Sequence, residues 1–257
     1  MKFSGIILAG GESTRFDYNK IKIKIGKVPL FIDQIFKLNF FCDEIIVVSN
    51  LKNYKIILNE FNNIKKYYKF YFQEKNKIIA PIKIVLDDDS LTNNNFQNVG
   101  PIGGIFTGLK EANNQYSIIQ AFDMPFTSYN LFSLLISKND PEHIDAVMIK
   151  TQKGVEVLCA IYSKKCIEVI LQNIKNKKYK ITEILPYLNV HFISEKELES
   201  YKVDQLNFFN VNSEIDNYNF KSIWNNGHSE SFASSPDIVT YKKWENFFYR
   251  GIENRIN

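Results

Sequence analysis

The residues of this 257-residue chain best suited to chemistry gather in a few short stretches, the first being Leu8-Ala9-Gly10-Gly11 followed by Ser13, Arg15 and Lys20. Adjacent glycines after an apolar run let backbone approach a ligand closely and aim successive amides at anionic oxygens, while Arg15 and Lys20 add charge. Arg15 is conspicuous, since lysine supplies nearly all the positive charge and the other arginines are Arg250 and Arg255. A planar, two-pronged donor in that place suits an oxyanion such as phosphate. The spacing is neither a Walker A loop nor GxGxxG, and a plain β-to-α turn would use the same glycines. Lys22 stands as an alternative to Lys20 for the phosphate contact.

Asp123 lies in Gln120-Ala121-Phe122-Asp123-Met124-Pro125-Phe126, behind an apolar run. A carboxylate at the carboxyl end of a strand in an open parallel sheet sits where such sheets bind ligands, and as a hard oxygen ligand it suits Mg2+ carried by a nucleotide. A turn aspartate after the strand is the competing reading. Gly100-Pro101-Ile102-Gly103-Gly104 is a second glycine-rich junction, able to receive a base or a close helix contact. Asp87, Asp88 and Asp89 read as a solvated acidic loop, with one of them at the strand end able to line the same crevice. Asn210 and Asn212, at i and i+2 in FFNVNS, offer amides on one side of an extended segment to a metal or a phosphate, or end an edge strand in an Asx turn. No Ser-His-Asp or Cys-His arrangement can be argued, and His143, His191 and His228 have no metal-binding spacing.

Elements must hold these stretches in place. Lys2 to Leu8, Glu44 to Ser49, Ile82 to Leu86 and Tyr116 to Phe122 read as buried strands, with helices over Pro29 to Phe41, over Asn53 to Lys77, and from the GPIGG junction to about Asn113. Strands about 30 residues apart with helices between them predict an α/β fold on a parallel sheet. Ala146 to Lys150 and Glu156 to Tyr162 look like further strands, with a hairpin across Gln152 to Gly154 as one way to pair them, ahead of a helix near Lys164 to Lys175.

Composition bounds the rest. At 45% hydrophobic and 23% charged residues the chain is built to fold around a core, which excludes wholesale disorder. A formal charge of +4 is no nucleic-acid footprint, and no apolar run is long enough for a bilayer. Three scattered cysteines make no disulfide framework and fit a reducing compartment. The expectation is a soluble cytoplasmic protein with neither nucleic acid nor membrane as partner.

In this order, LAGGESTR with Lys20, GPIGG, AFDMPF, EVLCAIY and FFNVNS resemble the MobA-like nucleotidyltransferases, most closely the molybdenum cofactor guanylyltransferases. The resemblance covers about residues 3–216. It implies a Rossmann-like three-layer sandwich on a mostly parallel central sheet, a transferase domain over residues 1–218, and an extension over 219–257 of open role. It also implies transfer of GMP from GTP to the phosphate of a molybdopterin-type cofactor with release of pyrophosphate, Mg2+ as cofactor, and contact with cofactor-handling or acceptor proteins. On this basis Leu8, Ala9, Gly10, Gly11, Ser13, Arg15 and Lys20 hold the triphosphate. Asp87 and Gly103 line the guanine or ribose side, Asp123 binds the metal, and Asn210 and Asn212 lie at the metal and phosphate end, with Arg15, Lys20 and Asp123 the catalytic set. The chain departs from the family pattern at Asp17, usually glycine, at Asn19, usually aspartate, and at Val28-Pro29, usually Lys-Pro. Cytidylyl transfer, transfer to a sugar or alditol phosphate, and a nucleotide-binding regulator without turnover stay open.

Overall fold

The computed structural model describes residues 1–10, 20–70, 79–87 and 99–223. In chain order, β1 (Phe3–Leu8) is followed by a 3-10 turn at Lys20–Lys22, a small hairpin of β2 (Lys24–Ile25) and β3 (Val28–Pro29), and α1 (Leu30–Leu38). Then come β4 (Glu44–Ser49), α2 (Leu51–Asn62), a 3-10 segment Ile64–Phe70, β5 (Ile82–Leu86), α3 (Pro101–Glu111), β6 (Tyr116–Ala121) and α4 (Tyr129–Ser137). The described chain closes with β7 (Ala146–Thr151), β8 (Gly154–Ser163), α5 (Cys166–Lys175), β9 (Val190–Ile193), α6 (Glu195–Ser200) and α7 (Glu214–Ile223).

Seven strands form one sheet in the order β5-β4-β1-β6-β8-β7-β9, with β6 at its centre. Every neighbouring pair is parallel except those made by β8, which runs antiparallel to both β6 and β7. Alternation along the strands sends side chains to two cores. Ile7, Val47, Ile118 and Ile161 pack under α1, α2 and α4, whereas Ile6, Val48, Ile119 and Ala160 pack under α3 and α5. The result is the expected α/β sandwich, a mostly parallel sheet between two helical layers.

The strand readings at Glu44–Ser49 and Ile82–Leu86 coincide with the structure, and residues 146–163 do form a hairpin. The helix expected over Asn53 to Lys77 does not hold as one element. It starts two residues earlier, because Asn50 caps it by accepting from the Asn53 amide at 2.8 Å, and it stops at Asn62. There the Asn63 side chain donates to the Asn59 carbonyl at 2.9 Å, so a side chain serves the helix end and a 3-10 segment follows. Residues 71–78 of that reading lie outside the described residues. At the far end α7 spans residue 218, where the sequence reading draws its domain boundary, and buries Phe220 in the folded body.

A third, small core explains how distant segments meet. Ile23, Ile25 and Leu30, from the β2-β3 hairpin and the start of α1, pack with Phe126, Val211 and Phe220. The Phe126 ring lies 5.6 Å from that of Phe220 and 5.8 Å from that of Phe209. Each segment carries a candidate site residue within three positions of a member of this cluster, namely Lys20, Asp123 and Asn212.

Candidate active site

The carboxyl ends of β1 and β6 lie side by side, Leu8 paired with Ala121. Just beyond them the Lys20 ammonium stands 3.2 Å from Asp123 Oδ2 and 2.8 Å from Asn212 Oδ1. Three motifs picked out in the sequence therefore converge on one point. The Lys20 and Asp123 side chains are only 11% and 17% exposed. Burial raises the Asp123 carboxyl above its ordinary value, and the Lys20 charge and hydrogen bond pull it back down.

The turn bearing Asp123 is fixed through its backbone. Three successive carbonyls accept from donors outside the turn: Asp123 from the Val211 amide at 2.9 Å, Met124 from Gln34 Nε2 at 3.0 Å, and Pro125 from Lys37 Nζ at 3.0 Å. Pro125 brings no amide of its own, and buried carbonyls need donors, so side chains of α1 supply them. Asn212 is held in turn by Asp216, whose carboxylate accepts from the Asn212 amide at 2.9 Å and from Ser213 Oγ at 2.8 Å.

The glycine stretch is anchored by two residues that sequence reasoning missed. Asn53 Nδ2 donates to the Ala9 carbonyl at 2.8 Å and Asn50 Nδ2 to the Gly10 carbonyl at 2.6 Å. A Cβ on Gly10 would make only ordinary contact with the Asn50 amide nitrogen, at 3.4 Å. Gly11, Ser13, Arg15, Asp17 and Asn19 lie outside the described residues.

On the other side of β1, the Asp87 amide donates to the Ser49 carbonyl at 2.8 Å and its carboxylate accepts from Thr107 Oγ1 at 2.9 Å. Asp87 thus turns inward onto α3, with its oxygens 3.6 and 3.8 Å from where a Cβ on Gly103 would stand. All three glycines of α3 pack closely: a Cβ on Gly103 would run into the Val99 side chain, one on Gly104 would lie 3.2 Å from Leu8 Cδ2, and one on Gly108 2.5 Å from Ile6 Cγ2. Asn210 and Asn212 part company, for Asn210 Nδ2 donates to its own neighbour's carbonyl at Phe208, 3.2 Å away, while Asn212 meets Lys20.

Glu156 is a further carboxylate near the site. It lies on β8 beside an irregularity in the β7-β8 ladder, and accepts from the Leu158 amide at 2.8 Å. Burial raises its pKa, the Leu158 amide opposes that, and the negative charge of Asp123 adds to the rise. The signal in the sequence was an acidic residue opening an otherwise apolar strand, EVLCAIY.

A sandwich with phosphate-compatible glycine turns, a cation held by a carboxylate and an amide oxygen, and an inward aspartate on the far side of β1 is the frame of a nucleotide-handling α/β protein. Residues 5–187 match the MobA-like NTP transferase domain, and the chain belongs to that family of nucleotidyltransferases. A molybdenum cofactor guanylyltransferase of Desulfosudis oleivorans is 28% identical over 211 residues, 82% of this chain and 90% of that protein. A probable molybdenum cofactor guanylyltransferase of Clostridium perfringens is also 28% identical, over 85% of this chain and 95% of its own length. Among solved structures, molybdopterin-guanine dinucleotide biosynthesis protein A from Archaeoglobus fulgidus superposes with a TM-score of 0.66 at 20% identity, covering 87% of this chain and 99% of that one. A 4-diphosphocytidyl-2C-methyl-D-erythritol synthase from Anaerococcus prevotii gives 0.59 at 16% identity, with the same coverage. At these identities the structural likeness concerns the fold.

Proposed function

We propose that this chain transfers GMP from GTP to the terminal phosphate of a molybdopterin-type cofactor, releasing pyrophosphate. The observation that carries the reading is the convergence of Lys20, Asp123 and Asn212 at the carboxyl ends of β1 and β6, beside the Leu8-Ala9-Gly10 turn. The names of the curated relatives support guanylyl transfer and a molybdenum cofactor acceptor.

The donor set fits a divalent cation. Asp123 Oδ2 and Asn212 Oδ1 are hard oxygen ligands of the kind Mg2+ takes and converge on one positive charge, the Lys20 ammonium, which would swing to the phosphates and give its place to the ion. Bound there, Mg2+ would neutralise charge on the α-phosphate and the departing pyrophosphate. Lys20 and Arg15 bind the phosphates, with the backbone from Leu8 to Gly11 approaching them closely and Ser13 at hand as a hydroxyl donor. Asp87 and the backbone at Gly103 line the base or ribose side. An ionised acceptor phosphate attacks the α-phosphorus in line and needs no general base, so the work of the protein is positioning and charge stabilisation.

The test is pyrophosphate release from GTP, CTP, ATP and UTP with Mg2+, with and without molybdenum-free molybdopterin and the molybdenum-loaded cofactor. Acceptor-dependent release with GTP alone is expected. Release with CTP instead would move the nucleotide assignment, and binding of GTP with no release under any condition would overturn the transferase reading.

A further inference from the structure

The turn behind Asp123 rests on an ion pair that stability alone does not account for. Asp33 and Lys37, one turn apart on α1, are 2.8 Å apart with side chains only 5% and 8% exposed. Buried ion pairs of this kind are commonly replaceable by apolar side chains at no loss of stability, because desolvating both charges offsets their attraction. Here the pair has a directional product. Its ammonium donates to the Pro125 carbonyl, and Gln34, buried beside it, donates to the Met124 carbonyl. Gln34 is oriented from behind: Thr127 Oγ1 donates to Gln34 Oε1 at 3.0 Å. Apolar side chains at Asp33 and Lys37 would fill the same space and leave the Pro125 carbonyl free to tilt, with Gln34 alone on Met124.

We infer that Asp33, Gln34 and Lys37 are positioning residues, a clamp on the Met124 and Pro125 carbonyls that fixes where the Asp123 carboxylate points. The inference rests on Asp123 being the ligand of the divalent cation. A carboxylate that must meet a small cation with strict octahedral demands tolerates little rotation of its backbone, and residues one shell out from a metal ligand set its orientation and affinity. The amide of Val211 fixes the Asp123 carbonyl from the other side, so the clamp completes a three-point hold on the turn.

The experiment compares the full-length wild type with Asp33→Leu/Lys37→Met, Gln34→Met and Lys37→Arg. Mn2+ affinity is read by electron paramagnetic resonance in the absence of nucleotide, stability by thermal unfolding, and kcat and KM for the nucleotide by pyrophosphate release. The apolar double variant, left with an undonated Pro125 carbonyl, should unfold a few degrees below wild type, bind Mn2+ about tenfold more weakly than that loss explains, and lose kcat rather than KM. Gln34→Met should weaken Mn2+ in the same direction, and Lys37→Arg, which keeps charge and donors, should stay near wild type. Wild-type Mn2+ affinity in the folded double variant and in Gln34→Met would overturn the clamp, and if the double variant fails to fold, Gln34→Met decides alone. A wild type that binds Mn2+ but turns over no nucleotide would sink the transferase reading and leave the clamp standing; a wild type that binds no Mn2+ would overturn the clamp.

Discussion

Lys20 Nζ and Asn212 Oδ1 are 2.8 Å apart although 192 positions separate them, and the same ammonium reaches Asp123 at 3.2 Å. Lys20→Met removes the cation that holds down a carboxyl already raised by burial, so Asp123 should take up its proton at still higher pH. The acid limb of Mn2+ binding should move to higher pH in the variant. Nucleotide affinity should drop roughly tenfold or more, the scale of a lost charge-assisted contact, as calorimetry would show. An unmoved acid limb would separate Lys20 from Asp123.

Asn53 tests the anchoring of the glycine turn. Its side chain is buried and holds the Ala9 carbonyl, so Asn53→Ala should cost about 1–3 kcal/mol of stability through the orphaned group. Urea unfolding measures that, and nucleotide titration should show weaker binding as well, because the turn loses its support. A loss of stability with unchanged nucleotide affinity would make Asn53 a core residue and nothing more.

The glycines of α3 should divide by role. Gly108→Ala drives a methyl group into Ile6 and should destabilise by about 1–3 kcal/mol, less the gain in helix propensity, without weakening nucleotide binding. Gly103→Ala drives its methyl group into Val99 and should lose stability on the same scale, but with the Asp87 carboxylate 3.6 Å away it should also weaken nucleotide binding beyond what that loss explains. Equal nucleotide affinity in both variants, measured with folded protein, would remove Gly103 from the site.

Glu197 carries a pH dependence remote from the chemistry. The Lys138 ammonium, the Ser194 amide and the Ser194 hydroxyl lower its carboxyl to about 2, in a capping box that begins α6. A depressed carboxyl stabilises the fold fully above its unfolded value near 4.5 and loses that contribution as pH falls toward 2. Because the pair is partly solvated, Glu197→Gln should cost only about 1 kcal/mol at pH 7, and the gap to wild type should narrow between pH 4.5 and 3. A gap that stays constant across that range, followed by urea unfolding, would place the cost in the cap geometry instead of the charge.

The sheet was legible because its strands are apolar, short and bounded by polar residues: Glu44–Ser49 could be read directly. α4 and β9 escaped: the mark of Tyr129–Ser137 was the Ser128 cap just behind the DMPF turn, and Val190–Ile193 is a half-buried edge. The site's charged members showed themselves by type and place. Asn50, Asn53, Gln34 and Lys37 did not, because their work is to satisfy carbonyls of segments 40 to 90 positions away, a relation that no local spacing encodes. Residues Gly11, Ser13 and Arg15 of the glycine stretch, together with Asp17 and Asn19, where the chain departs from its family, keep the standing that sequence gives them.

The third core cluster sets an order of events. The last strand of the sheet ends at Ile193, so every strand is available before Val211 and Phe220 exist to pack on Phe126. As the chain leaves the ribosome, the sandwich can close while the Asp123 carbonyl still waits for its donor and Lys20 for Asn212. Contacts spanning 103 and 192 positions are slow to close, so among the described residues the meeting of Lys20, Asp123 and Asn212 should follow closure of the sheet. A nascent chain stopped near residue 200 would hold every strand of the sheet without Asn212 to meet Lys20, and cation binding should appear only once the chain reaches past that residue.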